Sequence, residues 1–144
     1  MKNLTIQNVS KTYFDPYAGA NVTAVHDISL KVNQGEFISI VGPSGCGKTT
    51  LLNMIAGFLP ISGGSITIDD KAIKGPGPDR GVVFQTFALF PWKTVGENVG
   101  FGPRMRGLPR KECDQIALEF LSLVGLEHVA QKYPNELSGG MQQR

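Results

Sequence analysis

Gly42-Pro43-Ser44-Gly45-Cys46-Gly47-Lys48-Thr49 constrains this chain more than any other stretch. It satisfies G-x-x-x-x-G-K-[ST], and its flanks are the required ones. Before it runs Phe37-Ile38-Ser39-Ile40-Val41, nearly continuous apolar sequence that predicts a strand covered on both faces. After it come Leu51, Leu52, Ile55 and Leu59 at helical spacing, ending around Gly57 to Pro60. The glycines allow successive backbone N–H groups to wrap a phosphate, and the helix start adds its dipole. Lys48 brings a compact positive charge for the outer phosphates, and Thr49 offers a hydroxyl to magnesium, with Thr50 beside it. Cys46 reads as a small filler, since nothing nearby supplies a base for a nucleophile. A glycine-rich strand–helix turn that merely contains lysine is the bland alternative, and the agreeing flanks argue against it.

A second anion-binding pattern closes the chain: Leu137-Ser138-Gly139-Gly140-Met141-Gln142-Gln143-Arg144. Ser138 can cap a helix through its hydroxyl, and Gly139 and Gly140 let the backbone come close to a ligand. The last residue falls inside the first turn of that helix, too short to hold itself together, so the chain looks cut off in mid-element.

Composition sets the class. At 144 residues, 41% hydrophobic and 18% charged, the chain has ordinary globular usage and length for one domain core. A net charge of +2 is too small for the concentrated basic footprint of a nucleic-acid binder, and no nucleic acid is expected. Met1 to Thr5 alternates and lacks the apolar stretch of a signal peptide, and no apolar run is long enough to span a bilayer. Cys46 and Cys113 are too few for a disulfide scaffold, so reduced thiols in the cytoplasm are expected.

The first third reads as β. Leu4 and Ile6, then Ile28, Leu30 and Val32, alternate with polar neighbours as half-buried strands do, and Asn33-Gln34-Gly35 makes a turn. Ser65 to Asp69 alternates as a strand, Gly75-Pro76-Gly77-Pro78 is a rigid loop, and Gly81-Val82-Val83-Phe84 is a second buried strand candidate. Beyond Thr86 no strand pattern appears before Leu137. Thr94 with Glu97 predicts a capping box on a short helix through Val99. Arg110 to Val124 predicts a longer helix with Ile116, Phe120, Leu121 and Val124 on one face and Gly125 as its stop. The organisation expected is a nucleotide-binding core with a β subdomain over 1–85, a helical subdomain over 86–137, and the terminal motif at 138–144.

Gly42 to Thr49 together with Leu137 to Arg144 strongly resembles the ATP-binding subunit of ATP-binding-cassette (ABC) transporters, and the likeness covers the whole chain. It implies an α/β fold: a P-loop NTPase core of the ABC ATPase type, an N-terminal antiparallel β subdomain and a helical subdomain, with the C-terminal part missing. It implies ATP with Mg2+ as ligands. In that family the signature loop faces the γ-phosphate held by the partner's phosphate loop, so Ser138, Gly139 and Gly140 would act across a head-to-tail dimer. Tyr13, on its own either a strand-end core aromatic or a stacking ring, matches the family's adenine platform. Gln85, after Val82-Val83-Phe84, matches the glutamine that touches magnesium and the attacking water. Lys48 and Gln85 would then be the catalytic positions, and Thr49 with Gln85 the metal positions.

Phe87, Leu89, Phe90 and Trp92 need a home. They either pack inside the helical subdomain or form the groove that receives a membrane subunit's cytoplasmic helix. Gly75 to Gln85 and Phe90-Pro91-Trp92-Lys93 look most like the nitrate, sulfonate and taurine importer group, whose members would sit on the cytoplasmic face of the membrane and meet a solute-binding protein only indirectly. A soluble ABC ATPase acting on DNA or ribosomes is the alternative from another class.

The family also places an apolar strand ending in Asp-Glu, and later a switch histidine, after the signature. Ile66-Thr67-Ile68-Asp69-Asp70 is too near the phosphate loop to stand in and reads as a hairpin end, while His26 and His128 read as surface or packing residues. Residues 1–144 alone are therefore expected to be poorly stable and nearly inactive, with 37–41 lacking a neighbouring strand.

Overall fold

The computed structural model describes residues 3–144. They fall into two compact units, divided between Val82 and Val83.

The first unit is built on an antiparallel sheet. Strands β1 (Leu4–Asp15), β2 (Ala20–Val32), β3 (Gly63–Ile68) and β4 (Lys71–Ala72) lie in the order β2-β1-β3-β4. The expected hairpin end after Ile68 is there. Asp69 and Asp70 both take positive φ, the requirement of a two-residue turn between twisted strands, and Ile68 pairs with Lys71. Helix α1 (Lys48–Ala56) packs Leu51 and Met54 against Ile6, Val9, Val25 and Ile66. Gly57 in the left-handed region ends α1: its N–H reaches the Met54 carbonyl and the Phe58 N–H reaches that of Asn53. The guanidinium of Arg80 donates to the carbonyls of Ala56 and Gly75 and is held by Asp79 at 2.8 Å, so the proline-rich loop is fastened to the end of α1.

Strand β1 is not regular. Its pairing with β2 shifts register between Ile6 and Val9, at Asn8, which has φ 47°. Short polar side chains absorb the irregularity: the Asn8 amide donates to Asp27 at 2.8 Å, and the Ser29 and Ser10 hydroxyls accept from the backbone of Asn8 and Asp27. The extra residue turns the alternation over. Ile6 is buried before it, Val9 and Lys11 after it, so the inward positions pass from even to odd.

Two expectations fail here. Residues 37–41 form no strand, and Phe37 is 94% exposed with Val41 close behind. Residues 81–84 likewise lie outside every strand, with Val83 99% exposed. A strand buried on both faces needs a neighbour for its N–H and C=O groups and a layer for each face. Among the described residues no segment supplies either. The Asn33 turn that precedes 37–41 does form: the Glu36 carboxylate accepts from the Asn33 backbone and amide, and these bonds hold its carboxyl below the ordinary range.

The second unit is helical: α2 (Val95–Val99), α3 (Phe101–Met105), α4 (Arg110–Leu123), two 3₁₀ turns (Glu127–Val129 and Pro134–Glu136) and α5 (Gly139–Gln143). The capping box at α2 is present in both directions, at 3.0 and 3.3 Å. Its core gathers Val95, Leu121, Leu126, Val129, Ala130 and Leu137. The face of α4 differs from the expected one. Cys113, Ala117 and Leu121 are buried, Ile116 is half-buried, and Phe120 and Val124 are exposed. Small side chains let α4 approach Gly100, where an added Cβ would stand 3.3 Å from the Cys113 carbonyl oxygen. On α1, Leu52 is exposed while Met54 is buried. Both cysteines are free thiols, Cys46 exposed and Cys113 buried, and His26 and His128 are exposed. No described helix is long and apolar enough to cross a membrane.

Candidate functional site

Within the first unit the loop 42–49 wraps the start of α1. The first intrahelical bond runs from the Leu51 N–H to the Gly47 carbonyl, which leaves the amides of the helix's opening turn without intrahelical acceptors. Gly47 caps the helix with φ 92°, and an added Cβ would collide with the Ala24 carbonyl, so no other residue fits. At Gly42 the space is tight in a softer way: a Cβ there would stand 2.8 Å from the Cys46 sulfur, a side-chain atom that can turn aside. Cys46 itself is exposed.

The Lys48 ammonium points back into this ring, donating to the carbonyls of Gly42 at 2.7 Å and Pro43 at 2.6 Å, with the Cys46 sulfur at 3.5 Å. A pocket of about 270 Å³ opens beside it, lined by Ala24, Ser44, Gly45, Gly47, Lys48, Thr49 and Thr50. Fixed charge, free amides and hydroxyls converge there, a donor set suited to a polyphosphate. Tyr13 belongs to the same unit. It lies on β1 opposite Val22 and is 41% exposed, so its ring is not a core aromatic.

The second unit holds the other expected positions. Gln85 is exposed in a bend after residues 81–84. Ser138 caps α5, its hydroxyl accepting from the Met141 N–H at 3.4 Å, and Gly139 and Gly140 form the first turn, both exposed. Phe87 lies beside that turn, its ring 3.9 Å from a Cβ built on Gly139. Gln142 is a support that sequence reasoning missed. Its amide donates to the carbonyls of Pro134 at 2.6 Å and Leu137 at 3.2 Å, tying α5 to the turn that enters the motif.

The aromatic segment divides residue by residue. Leu89 and Phe90 are half-buried; Leu89 lines an apolar pocket with Phe120 and Val124, which is where the exposed side of α4 is directed. Phe90 packs its ring, tilted, 4.7 Å from that of Phe101 and 5.7 Å from that of Trp92. Phe87 and Trp92 stand out to solvent, Trp92 at 71%. Asn98, also missed, holds the segment in shape. Its side-chain oxygen accepts from the Phe90 N–H at 2.8 Å and its NH₂ reaches the carbonyls of Phe90, Lys93 and Thr94. No short motif marks such a residue, because its partners are backbone groups. Asn98→Ala is expected to cost about 2–3 kcal/mol in denaturant stability of the complete protein, since it strands a part-buried N–H and several carbonyls. Asn98→Asp is expected to give no rescue, because a carboxylate accepts from Phe90 but faces the carbonyls without a donor.

Comparisons with known proteins give the family. An ABC transporter family model matches residues 25–144. An ABC transporter ATP-binding protein of Methanocaldococcus jannaschii is 48% identical over 141 residues, 98% of this chain and 52% of that protein. The taurine import ATP-binding protein TauB of Roseobacter denitrificans is 48% identical over the whole chain and 53% of its own length. A dimeric ATP-binding cassette solved in a post-hydrolysis state with ADP and Pi superposes with a TM-score of 0.84 at 35% identity, over 97% of this chain and 65% of that one. The chain spans about half the length of the curated relatives it matches. With its phosphate loop and its Ser138-Gly139-Gly140 turn both inside the matched region, the chain belongs to the ABC transporter family.

Proposed function

We propose that the complete protein is the ATP-hydrolysing subunit of an ABC importer for a small solute of the nitrate, sulfonate or taurine kind. The observation that carries the ATP reading is the Lys48 ammonium set in the ring of loop carbonyls beside the free amides of α1. Tyr13 stacks on the adenine. Magnesium, when bound, neutralises phosphate charge, and the Thr49 hydroxyl in the pocket is a hard oxygen donor of the type it takes, with Gln85 the second candidate. Ser138, Gly139 and Gly140 of one subunit close on the phosphates held by another in a head-to-tail dimer. The dimeric cassette among the structural neighbours supports that arrangement, and the taurine importer among the relatives supports the solute class.

Phe87 and Trp92 are the residues offered to the membrane permease, because they are the exposed members of a segment held rigid from behind by Asn98. The protein is then peripheral on the cytoplasmic face, and the solute-binding protein reaches it only through the permease. The test is co-purification with a membrane permease from detergent-solubilised membranes of the same cells. Phe87→Ala with Trp92→Ala is expected to lower permease retention at least about tenfold while ATP affinity stays within about twofold. Undiminished retention by the double variant, or retention of the wild type on ribosomes or DNA in place of the permease, would sink the transport reading.

A further inference from the structure

Lys11 is the one charged side chain buried among the described residues, 9% exposed. An ammonium withdrawn from water is costly unless something compensates it. Here the Nζ donates to the Pro60 carbonyl at 2.8 Å and stands 5.1 Å from the centroid of the Tyr13 ring. The bulge at Asn8 makes this possible. By turning the alternation of β1 from even to odd it sends Lys11 inward, on the same face as Tyr13 two residues on. In an unbroken strand that began with Leu4 and Ile6 inward, Lys11 would face away.

Both of its contacts bear on the nucleotide site. A cation within about 6 Å of a ring face is attracted by the ring's quadrupole, which restricts the ring to one orientation. A base that stacks on a ring already held loses less freedom in doing so. Pro60 follows the end of α1, the helix whose first turn carries Lys48. The ammonium therefore links the ring on β1 to the far end of the helix that holds the phosphate loop. We propose that Lys11 is a positioning residue of the nucleobase platform, fixing Tyr13 by a cation–π contact and, through Pro60, setting its place relative to α1. This rests on Tyr13 being the ring that stacks on the base.

The experiment compares ATP with inorganic tripolyphosphate, which has no base, on the complete protein by calorimetry. Lys11→Met is expected to weaken ATP about five- to tenfold and leave tripolyphosphate unchanged, while Lys11→Arg, which keeps a cation and a donor, restores ATP to within about twofold. Lys11→Gln, shorter than lysine and without the charge, is expected to behave like Lys11→Met. Equal loss of both ligands, or unfolding of both the Met and Gln variants, assigns the lysine to the fold alone and overturns the proposal. Tyr13→Ala separates the premise. If it leaves ATP affinity unchanged, the reading of Tyr13 fails; if it weakens ATP while Lys11→Met does not, the platform stands and only the role of Lys11 falls.

Discussion

Lys48→Ala is expected to weaken ATP binding by the complete protein at least about 100-fold, which a fluorescent-nucleotide titration reads as no saturable binding. The reason is the position of the charge. The Lys48 ammonium lies at the neck of a loop whose backbone already points amides at the same space, and it makes its bonds at 2.6 and 2.7 Å to loop carbonyls. Each charge-assisted bond to phosphate contributes about 1.5–3 kcal/mol, and Lys48 supplies more than one. Alanine is a good residue for the first turn of a helix, and Lys48 is half-exposed, so melting temperature is expected to stay within a few degrees. Lys48→Arg is expected to rescue poorly, because a planar fork does not fit a ring drawn around a compact ammonium. Saturable binding by Lys48→Ala with near wild-type affinity would remove the phosphate loop from the proposed function.

What was legible in the sequence was local. The loop 42–49, the turn at Asp69-Asp70, the Thr94–Glu97 capping box and the Ser138 cap each depend on residues no more than eight positions apart, so spacing alone locates them. What was not legible depends on distant partners. The apolar run 37–41 correctly announces a segment that wants burial, but a run cannot announce its neighbours, and the described residues provide none. Helical periodicity drew the face of α4 toward its largest apolar residues, whereas the tight approach to Gly100 favours Cys113 and Ala117. Lys11 escaped notice because one bulge reversed the parity of its strand, and Asn98 and Gln142 because their partners are carbonyls, which every residue has.

Ser138→Ala in the complete protein is expected to leave ATP affinity within about twofold and to reduce turnover about 10²- to 10³-fold. The two effects separate because the residues that grip the phosphates, Lys48 and the amides of α1, are untouched by the change. In the proposed dimer Ser138 meets the phosphate of the nucleotide held by the partner subunit, so its hydroxyl acts where charge develops during cleavage. Loss of its cap is a smaller matter. The bond to the Met141 N–H is long at 3.4 Å, and Gln142 holds the same turn through Pro134 and Leu137, so stability should fall by only about 0.5–1 kcal/mol. Ser138→Asp sharpens the test. It preserves the cap but sets a negative charge against a phosphate, so turnover should fall at least as far as in Ser138→Ala while the helix gains stability. If Ser138→Ala lost binding in step with Lys48→Ala, the two motifs would serve one function in one subunit, and the shared head-to-tail site would have to be abandoned.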